Sequence, residues 1–410
     1  MAATDNTYDL LIIGGGPAGL AAAIYGGRAK LKTLLINKGT LGGLVDSTQE
    51  IVNYPGHCRT TGPDLMRDFI DHANSFGTEI IKDEVVGTDI TSEVKKVITK
   101  KKKEIYAKAV IIAVGSEPRT LNIPGEKQLR GSGVSYCATC DAECFAGEDV
   151  VVVGSGDQAI EEGMVIAKYA RQVTMIVLHD EGILDCNKVS RELALRHDKM
   201  RFVWNSTLEE IIGDDTVKAV KIKNLKTGQS TSLVCQGVFF FVGMVPSTRW
   251  LAGSGLQIDP CGYIETNDFM ETNLAGVYAA GDSRVKYLRQ VVTAASDGAT
   301  AAVVAERYLD ELNTFNTQVL PGGKNRVLLL FIDAFNNQSL AFSALVESVN
   351  QELAESYKIL TVDMATKRNL ARKYGIDRAP AVVVLENGVE LKRLDCATDR
   401  EGLKSQLCGA

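Results

Sequence analysis

Residues 8–36 read YDLLIIGGGPAGLAAAIYGGRAKLKTLLI, and this stretch decides the fold. An apolar strand, a glycine-rich turn, a helical pattern and a second apolar strand follow one another. Gly14, Gly16 and Gly19 have G-x-G-x-x-G spacing: the first permits a tight turn, the second leaves room for a pyrophosphate, and the third lets helix and strand pack closely. Asn37 stands near the end of the second strand, where an acid usually holds a ribose. The stretch therefore predicts a dinucleotide-binding fold with phosphates at the helix N-terminus.

A second unit of the same kind begins at residue 150 and reads VVVVGSGDQAIEEGMVIAKYARQVTMIVL. Gly154, Gly156 and Ala159 occupy G-x-G-x-x-A spacing, again between a buried strand and a helix. The two glycine turns are 154 − 14 = 140 residues apart. Two such units predict two redox cofactors side by side, or one cofactor and one vestigial site that no longer binds a nucleotide.

Two further segments end in polar residues at the edge of a predicted strand. The segment AVIIAVGSEPRTLNIPG (109–125) has a strand that ends at Gly115. The segment 274–302 has a strand that ends at Gly281 and Asp282, and a helix with Arg289 and Gln290 follows. We expect Asp282 to accept hydrogen bonds from a sugar-alcohol chain, to cap the helix, or to do both.

Composition bounds the class of protein. The chain has 410 residues, a length that predicts two to four domains. Its residues are 45% hydrophobic and 23% charged, which is typical of a globular protein, and its net charge is −6. This charge disfavours a nucleic-acid partner, and the basic run at 100–103 is typical of a solvated hairpin tip. The polar N-terminus does not resemble a signal peptide, and no apolar run is long enough to span a bilayer. We expect no membrane partner and a cytoplasmic location, where thiols stay reduced.

The stretch SYCATCDAECF (135–145) places Cys137 and Cys140 three residues apart, with Cys144 nearby. Such a pair is a metal knuckle, a structural staple or a pair that carries electrons. Tetrahedral zinc needs four nitrogen or sulfur ligands, whereas the chain has four histidines and no second C-x-x-C. We therefore expect no metal site.

Together these motifs resemble the low-molecular-weight thioredoxin reductase family of FAD-dependent disulfide reductases over about the first 310 residues. The resemblance rests on GGGPAG, GGLVDSTQEIVNYPG, TGPDLM, CATCD, GSGDQA, AAGD and RQVVTAASDGA. It implies a homodimer with an α/β fold, in which two Rossmann-like units are nested. The FAD-binding domain (1–117 and 247–316) is split by an inserted pyridine-nucleotide-type domain (118–246) that carries the dithiol.

The resemblance also assigns roles to residues. Cys140 becomes the thiol nearest the flavin, Cys137 the thiol that attacks the disulfide of a thioredoxin-like protein, and Asp141 the acid that handles the proton. The inserted domain is expected to rotate about hinges near residues 117 and 247. Cys144 departs from the family pattern. The residues expected at FAD are Gly14, Gly16, Pro17, Ala18, Gly19, Asn37, Gly43, Asn53, Val86, Gly115, Gly281, Asp282, Arg289, Gln290 and Val291.

The electron donor is where the family pattern breaks. NADPH-dependent members carry a basic HRRxxxR motif after the second glycine turn, whereas this chain has VLHDEGI (177–183). Two carboxylates there would repel a 2′-phosphate, so NADPH is not expected. We expect NADH as the donor, because the glycine turn is complete. The alternative is a vestigial site with a ferredoxin-type protein donor, which the lack of an acid directly at the strand end favours. The NADH site would consist of Gly154, Gly156, Asp157, Ala159 and Asp180.

After an expected linker at 317–325, residues 326–410 resemble a thioredoxin fold. Pro380 aligns with the cis-proline of that fold, and Asn387 and Gly388 predict a hairpin turn. The position of the W-C-G-P-C motif reads FNNQS, so this tail cannot shuttle a disulfide. We expect a docking or dimer-stabilising module, or a relic of a fusion, and an idle thiol at Cys408. Two other readings of the whole chain stay open: an interaction protein with a structural flavin, and a flavin oxidase.

Overall fold

The computed structural model describes residues 7–48, 51–318, 326–396 and 399–408. The first α/β unit begins with a six-residue strand that is buried over its last four residues. Helices pack on one face of its sheet, and strand and loop residues such as Val85, Leu251 and Ile264 pack on the other. Its elements are β1 (Tyr8–Ile13), α1 (Pro17–Arg28), β2 (Thr33–Asn37), α2 (Gly62–Ser75), β3 (Glu79–Lys82), β4 (Val85–Asp89), β5 (Lys95–Thr99), β6 (Glu104–Ile112) and β7 (Ser116–Pro118).

The central strand of this unit is β6, which pairs with β1 along one edge and with two different strands along the other. Strands β3, β2, β1 and β6 lie side by side in parallel. The first half of β6 pairs with β5 in an antiparallel hairpin, and its second half pairs with a strand from much later in the chain. The basic run 100–103 forms the exposed tip of this hairpin, as expected.

The inserted unit holds a second parallel sheet and an antiparallel one. The elements are β8 (Val134–Ser135), α3 (Ala138–Asp141), β9 (Asp149–Val153), α4 (Asp157–Tyr169), β10 (Gln172–Ile176), α5 (Lys188–Leu195), β11 (Met200–Val203), β12 (Ser206–Gly213), β13 (Val217–Asn224), β14 (Ser230–Val234), β15 (Gly237–Phe240) and β16 (Met244–Pro246). The parallel sheet has the order β11-β10-β9-β15-β8, and β12-β13-β14 form the antiparallel sheet.

The chain enters and leaves the inserted unit through one two-stranded ribbon. Strands β7 and β16 pair antiparallel, with Ser116 opposite Pro246. The ribbon is extended at its ends by the Arg119 N–H, which donates to the Gly243 carbonyl at 2.9 Å, and by the Ser247 N–H, which donates to the Gly115 carbonyl at 3.0 Å. These are the positions at which the sequence predicts hinges.

The last third of the chain returns to the first unit and then forms the tail. The single strand of the return pairs with β6, and a 28-residue helix follows. The elements are β17 (Val277–Ala279), α6 (Val291–Gln318), β18 (Arg326–Ile332), α7 (Asn337–Glu352), β19 (Lys358–Asp363), α8 (Arg368–Lys373), β20 (Ala381–Glu386), β21 (Val389–Leu394) and α9 (Arg400–Cys408). Short 3₁₀ turns lie at Gly43–Ser47, Ala142–Phe145, Arg249–Leu251 and Gly281–Ser283.

The tail is a four-stranded sheet in the order β19-β18-β20-β21, flanked by helices. The Ala379–Pro380 peptide is cis, and Asn387 and Gly388 both have positive φ in the turn between β20 and β21, so both predictions are confirmed. The core of the tail, however, begins earlier than residue 326, because Phe315 of α6 is buried among its strands. From residue 319 onward, the expected linker at 317–325 lies outside the described residues.

Helix α6 therefore belongs to two cores. Near its start it packs on α1, and a Cβ placed on Gly298 would lie only 1.9 Å from the Ala18 carbonyl oxygen. Near its end, the Glu311 carboxylate accepts hydrogen bonds from the Leu370 N–H at 3.0 Å and from the Asn369 amide at 3.2 Å. In the part of the chain that the structure describes, no helix is long and apolar enough to cross a membrane.

Candidate active site

A cleft of about 430 Å³ opens at the carboxyl ends of the strands of the first unit. This is the edge where parallel α/β sheets bind ligands, since loops and helix N-termini converge there. The walls come from residues 14–18, 37–40, 43–45, 113–117, 247, 280–282, 289–291 and 294. Most of the residues that the sequence assigns to FAD thus lie around one cavity.

The first glycine turn forms the floor of this cleft, and its backbone lies in direct contact with neighbouring backbone atoms. Gly14 has φ +107°, and a Cβ there would lie 2.2 Å from the Ala113 carbonyl oxygen. A Cβ on Gly19 would lie 1.8 Å from the Gly14 carbonyl oxygen. A Cβ on Gly16, in contrast, would meet no atom within 4 Å, because this residue faces the open cleft at the N-cap of α1. The turn therefore leaves free space at the helix N-terminus, where a pyrophosphate fits.

Asn37 holds the turn in place from the end of β2. Its side-chain oxygen accepts a hydrogen bond from the Gly15 N–H at 3.0 Å. Its amide nitrogen donates to the carbonyls of Gly39 at 3.1 Å and Thr40 at 2.8 Å. The side chain lines the cleft, but both ends of its amide already serve the surrounding loops.

Two polar atoms inside the cleft lack protein partners. The Asp282 Oδ1 and the Arg289 Nε are both buried without a hydrogen bond to any described residue. Burial raises the pKa of Asp282, and the charges of Lys286 and Arg289 partly oppose this effect. Orphaned buried groups are rare in native proteins and call for a ligand. A polyol chain with hydroxyl donors and acceptors would satisfy both, so these residues fit FAD.

The other expected FAD residues differ in their relation to the cleft. Gln290 lines it, and its side-chain oxygen accepts from the Asn53 amide at 3.2 Å, so Asn53 acts through Gln290. Val86 does not reach the cleft: its side chain is 49% exposed, whereas Val85 is buried and lines a smaller neighbouring cavity. Alternation along β4 points successive side chains to opposite faces, and this explains the difference. Among the lining residues are Pro17, Ala18, Gly43, Gly115, Gly281 and Val291.

Asp297 does not line the cleft but supports its wall through Gly281, and the sequence did not single it out. It lies in α6, is buried, and accepts a hydrogen bond from the Gly281 N–H at 3.1 Å. The Lys286 ammonium lies 2.8 Å from the same carboxylate oxygen and the Arg284 guanidinium 3.4 Å from it. The only signal in the sequence was an acid within the otherwise small and apolar AASDGATAA run.

Cys137 and Cys140 form a disulfide at the start of α3, with Cα atoms 5.4 Å apart. Ser135, which the sequence analysis did not single out, organises the residues around this bond. Its hydroxyl donates to the Asp141 carboxylate at 2.6 Å and accepts from the Cys137 N–H at 3.1 Å. Cys140 is exposed and Cys137 is half-buried, so the pair is open to an external molecule. Cys144 and Cys408 are exposed free thiols.

The structure does not bring this disulfide to the cleft. Among the described residues, none from 118–246 contributes to the cleft walls. The expectation of a sulfur pair resting against the flavin is therefore not met in this arrangement. The inserted unit joins the first unit through the ribbon of β7 and β16, and no local sequence pattern fixes its orientation about that ribbon.

The second glycine turn has the same backbone as the first. Gly154 has φ +135°, and a Cβ there would lie 2.3 Å from the Phe241 carbonyl oxygen, so this turn also packs at backbone distance. Gly156 is the N-cap of α4, and Ala159 is buried beneath the turn. The backbone alone would suit a pyrophosphate.

The side chains at this second turn, however, do not suit a pyrophosphate. The segment 185–187 runs along 155–157: Gly156 bridges to Asp185, and the Asp185 N–H donates to the Ser155 carbonyl at 2.9 Å. The Asp157 carboxylate, at the first residue of α4, accepts from the Asn187 N–H at 2.7 Å. Two carboxylates and a covering segment thus occupy the helix N-terminus, where a phosphate would otherwise find N–H groups and a positive dipole.

The acids next to this turn also have protein partners. The Asp185 carboxylate lies 2.6 Å from the His179 Nε2 and accepts from the Ser155 hydroxyl at 3.0 Å. Asp180, expected to hold a ribose, forms an ion pair with Lys226. The residues present at the second turn therefore fit a pyridine nucleotide poorly.

Comparison with known proteins agrees with this architecture. Residues 8–298 match the family model described as Pyridine nucleotide-disulphide oxidoreductase, and residues 308–408 match the one described as Thioredoxin. The chain is 48% identical over 313 residues to the thioredoxin reductase of Peptoclostridium acidaminophilum, covering 75% of this chain and 98% of that protein. It is 41% identical over 313 residues to that of Bacillus subtilis, covering 75% of this chain and 96% of that protein.

Solved structures give the same result. Thioredoxin reductase of Lactococcus lactis in the FR conformation superposes with a TM-score of 0.71 at 38% identity, covering 74% of this chain and all of that one. That of Streptococcus pyogenes superposes with a TM-score of 0.53 at 40% identity, covering 75% of this chain and 99% of that one. The resemblance and the fold class inferred from the sequence are confirmed.

The first prediction concerns Gly16. In Gly16→Ala the new methyl group enters the open cleft without touching protein atoms, so the chain should fold normally while the space for a pyrophosphate is lost. We expect the flavin content of the purified protein, measured as absorbance per chain, to fall by about ten-fold or more, with an unchanged circular dichroism spectrum. Gly87→Ala, in β4, should retain its flavin. A fully flavinated Gly16→Ala protein would contradict this assignment of the cleft.

The second prediction concerns Glu162 in α4, whose Oε2 is buried without a described partner. Burial raises its pKa to about 7, with a smaller contribution from Glu161. Between its ordinary pKa and pH 7, the folded state binds more protons than the unfolded state, so the free energy of unfolding falls as pH rises. Glu162→Gln removes this loss, and the variant should exceed the wild type by about 2 kcal/mol above pH 7 and by nothing near pH 4.

Urea unfolding of both proteins across this pH range measures the difference. Glu192→Gln, at an exposed position in α5, is the matched control and should follow the wild type. A difference for Glu162→Gln that does not change with pH would contradict the assigned protonation.

Proposed function

The chain belongs to the thioredoxin reductase family of pyridine nucleotide-disulphide oxidoreductases, and from that premise we propose that it is a FAD-dependent enzyme that reduces the disulfide of a separate thioredoxin-like protein. It is an oxidoreductase that acts on disulfides. The observation that carries the proposal is the Cys137–Cys140 bond, exposed at the start of a helix and next to Asp141. The two alternatives, a structural flavoprotein and a flavin oxidase, assign no role to this pair.

The proposed site for FAD is the cleft of the first unit. Gly14, Gly16 and Gly19 would hold the pyrophosphate at the N-terminus of α1, and Asp282 and Arg289 would bind the polyol chain. When bound and reduced by the electron donor, the flavin would supply the two electrons that convert the Cys137–Cys140 disulfide to two thiols. Asp141, oriented by the Ser135 hydroxyl, is placed to hold or release a proton beside the sulfur atoms.

The two cysteines then transfer these electrons to the partner. The Cys137 thiolate attacks one sulfur of the partner's disulfide, forms a mixed disulfide and expels the other sulfur as a thiolate. The Cys140 thiolate attacks Cys137, which re-forms the internal disulfide and releases the reduced partner. Two electrons and two protons pass to the partner for each turn. The order of attack follows the family resemblance.

A rotation of the inserted unit would let one dithiol serve both reactions. The ribbon of β7 and β16 is the proposed hinge, because it is where the unit joins the rest of the chain. The solved structures support this view: the structure with 40% identity superposes less well than the one with 38%, although each covers about three quarters of the chain. A difference in the relative orientation of the units accounts for this better than a difference in sequence.

For the electron donor, we propose a ferredoxin-type protein rather than a pyridine nucleotide. Asp157 and the segment around Asp185 occupy the helix N-terminus that the phosphates would need. The NADH alternative rests on the intact glycine backbone at Gly154 and Gly156. Because such a protein delivers single electrons, two reduced donor molecules would be consumed for each disulfide.

The tail, the oligomeric state and the location complete the proposal. Without cysteines at 335–339, the tail carries no electrons, and its contacts with α6 give it an architectural role. A homodimer and a cytoplasmic location are carried over from the sequence analysis as predictions.

The third prediction tests the dithiol. In Cys137→Ser and Cys140→Ser, either the attacking or the resolving sulfur is missing, so reduction of thioredoxin should fall by at least about a hundred-fold while flavin stays bound. Reduction is followed as the release of thiols from oxidised thioredoxin with chemically reduced enzyme. Cys144→Ser should keep full activity. Normal turnover in either CATC variant would overturn the proposed function.

The fourth prediction tests the donor. In an anaerobic stopped-flow experiment, the flavin absorbance should bleach with reduced ferredoxin within milliseconds to seconds and stay unchanged with NADH or NADPH. Rapid bleaching by NADH would instead establish the nicotinamide alternative. Bleaching by NADPH at micromolar concentration would contradict the charge argument for residues 179–181.

A further inference from the structure

A cavity of about 440 Å³ lies between the first unit and the tail, away from the cleft and the disulfide. Its walls come from four segments: the start of β5, the loop that leads into β17, the C-terminal half of α6, and α8 of the tail. Its volume is in the range of ligand pockets, and apolar and aromatic groups make up much of the lining. Neither the proposed FAD site nor the dithiol uses any of these residues.

Lys95 is the most unusual group in this cavity. It is only 2% exposed, although lysine is almost never buried without a partner. Its ammonium makes one hydrogen bond to the described residues, to the Glu93 carbonyl at 3.0 Å, and an ammonium carries three donors. Burial lowers the pKa of Lys95 to about 8, against a smaller opposing effect of the Glu93 charge. Its environment therefore lacks acceptors.

Two tyrosine hydroxyls add to this surplus of donors. Tyr278 of β17 is 1% exposed and Tyr308 of α6 is 7% exposed, and both line the cavity. Neither hydroxyl hydrogen-bonds to a residue that the structure describes. The Lys95 ammonium lies 5.8 Å from the centroid of the Tyr308 ring, so these groups belong to one cluster. Because they line the cavity without a described partner, both hydroxyls are available to a ligand inside it.

The acids at the cavity cannot fill that role, because two of them join the units. Glu271 binds Arg372 of α8 at 2.7 Å and the Asn267 amide at 2.7 Å. Glu311 accepts the two hydrogen bonds from the N-terminal turn of α8. This leaves Glu93, which is exposed, and it makes no ion pair within the described chain.

On the tail side, a second lysine faces the aromatic wall. The Lys373 ammonium lies 3.7 Å from the centroid of the Phe315 ring, and burial lowers its pKa. Arg372 balances the charge of Glu271. Lys95 and Lys373 balance the two remaining acids, so the lining carries no net charge, and the unused donors of Lys95 are what would attract an anion.

We propose that this cavity is a binding site for a small monocarboxylate with an aromatic or branched apolar body. The carboxylate accepts hydrogen bonds from Lys95 and from the hydroxyls of Tyr278 and Tyr308. The apolar body packs against Phe315 and Leu312. Because the walls belong to both the first unit and the tail, such a ligand also binds the two together, and it stabilises the folded chain by an amount that grows with the logarithm of its concentration relative to its Kd.

The test uses the full flavin-loaded chain, with phenylacetate as the probe and phenylacetamide as its neutral counterpart. By isothermal titration calorimetry, the wild type should bind phenylacetate, and Lys95→Met should bind it about ten-fold more weakly or worse, since a hydrogen bond to a charged group is lost. Lys96→Met is the matched control: Lys96 is the next residue of β5 and pairs with Glu104 at 3.5 Å, so its loss should leave the affinity unchanged. Phenylacetamide should bind the wild type as weakly as phenylacetate binds Lys95→Met.

A second measurement does not depend on the folding of a variant. Phenylacetate should raise the midpoint of thermal unfolding of the wild type, read by circular dichroism, and phenylacetamide at the same concentration should raise it less. The proposal is overturned if phenylacetate, benzoate and isovalerate all fail to bind or stabilise the wild type at millimolar concentration. It is also overturned if phenylacetamide binds as tightly as phenylacetate, or if Lys95→Met keeps the wild-type affinity.

Discussion

The rest of this structure depends on one constraint: helix α1 lies in backbone contact with the turn after β1 on one side and with helix α6 on the other. A Cβ on Gly19 would lie 1.8 Å from the Gly14 carbonyl oxygen, and one on Gly298 would lie 1.9 Å from the Ala18 carbonyl oxygen. Helix α1 is therefore held between the turn after β1 and helix α6, with no side chain in either contact. This position points its N-terminus into the cleft and also sets the axis of α6.

Helix α6 extends this constraint to the tail. It carries Asp297 at the cleft, Glu311 at the start of α8, and Phe315 in the core of the tail. A redox-inactive tail is thus built onto the same helix that helps to form the flavin cleft. Within the described residues, the inserted unit joins the chain through the paired strands β7 and β16. The proposed rotation about this ribbon would let one dithiol meet two different partners while the first unit and the tail stay together.

The two glycine turns show that a shared backbone does not decide what binds. Both place a helix N-terminus at backbone distance from a preceding strand. The first leaves open space at Gly16 and orphaned polar atoms at Asp282 and Arg289, whereas the second is covered by its own chain and carries the Asp157 carboxylate. The difference lies in a few side chains and one connecting segment, and it separates a proposed cofactor site from a proposed relic.

The sequence by itself determined the α/β class, the two glycine turns, the cysteine pair and the thioredoxin-like tail. These are local: strand, turn and helix follow from residues close together in the chain, and the cis-proline and the Asn-Gly turn could be identified in the same way. Other features could be seen only in the tertiary structure. They are the support of the cleft by Asp297, the outward direction of Val86, the covering of the second turn by Asp185, the distance of the dithiol from the cleft, and the burial of Lys95 between the units. Each of these depends on contacts between residues far apart in sequence, or on the orientation of whole units, and no local pattern of residue types encodes such contacts.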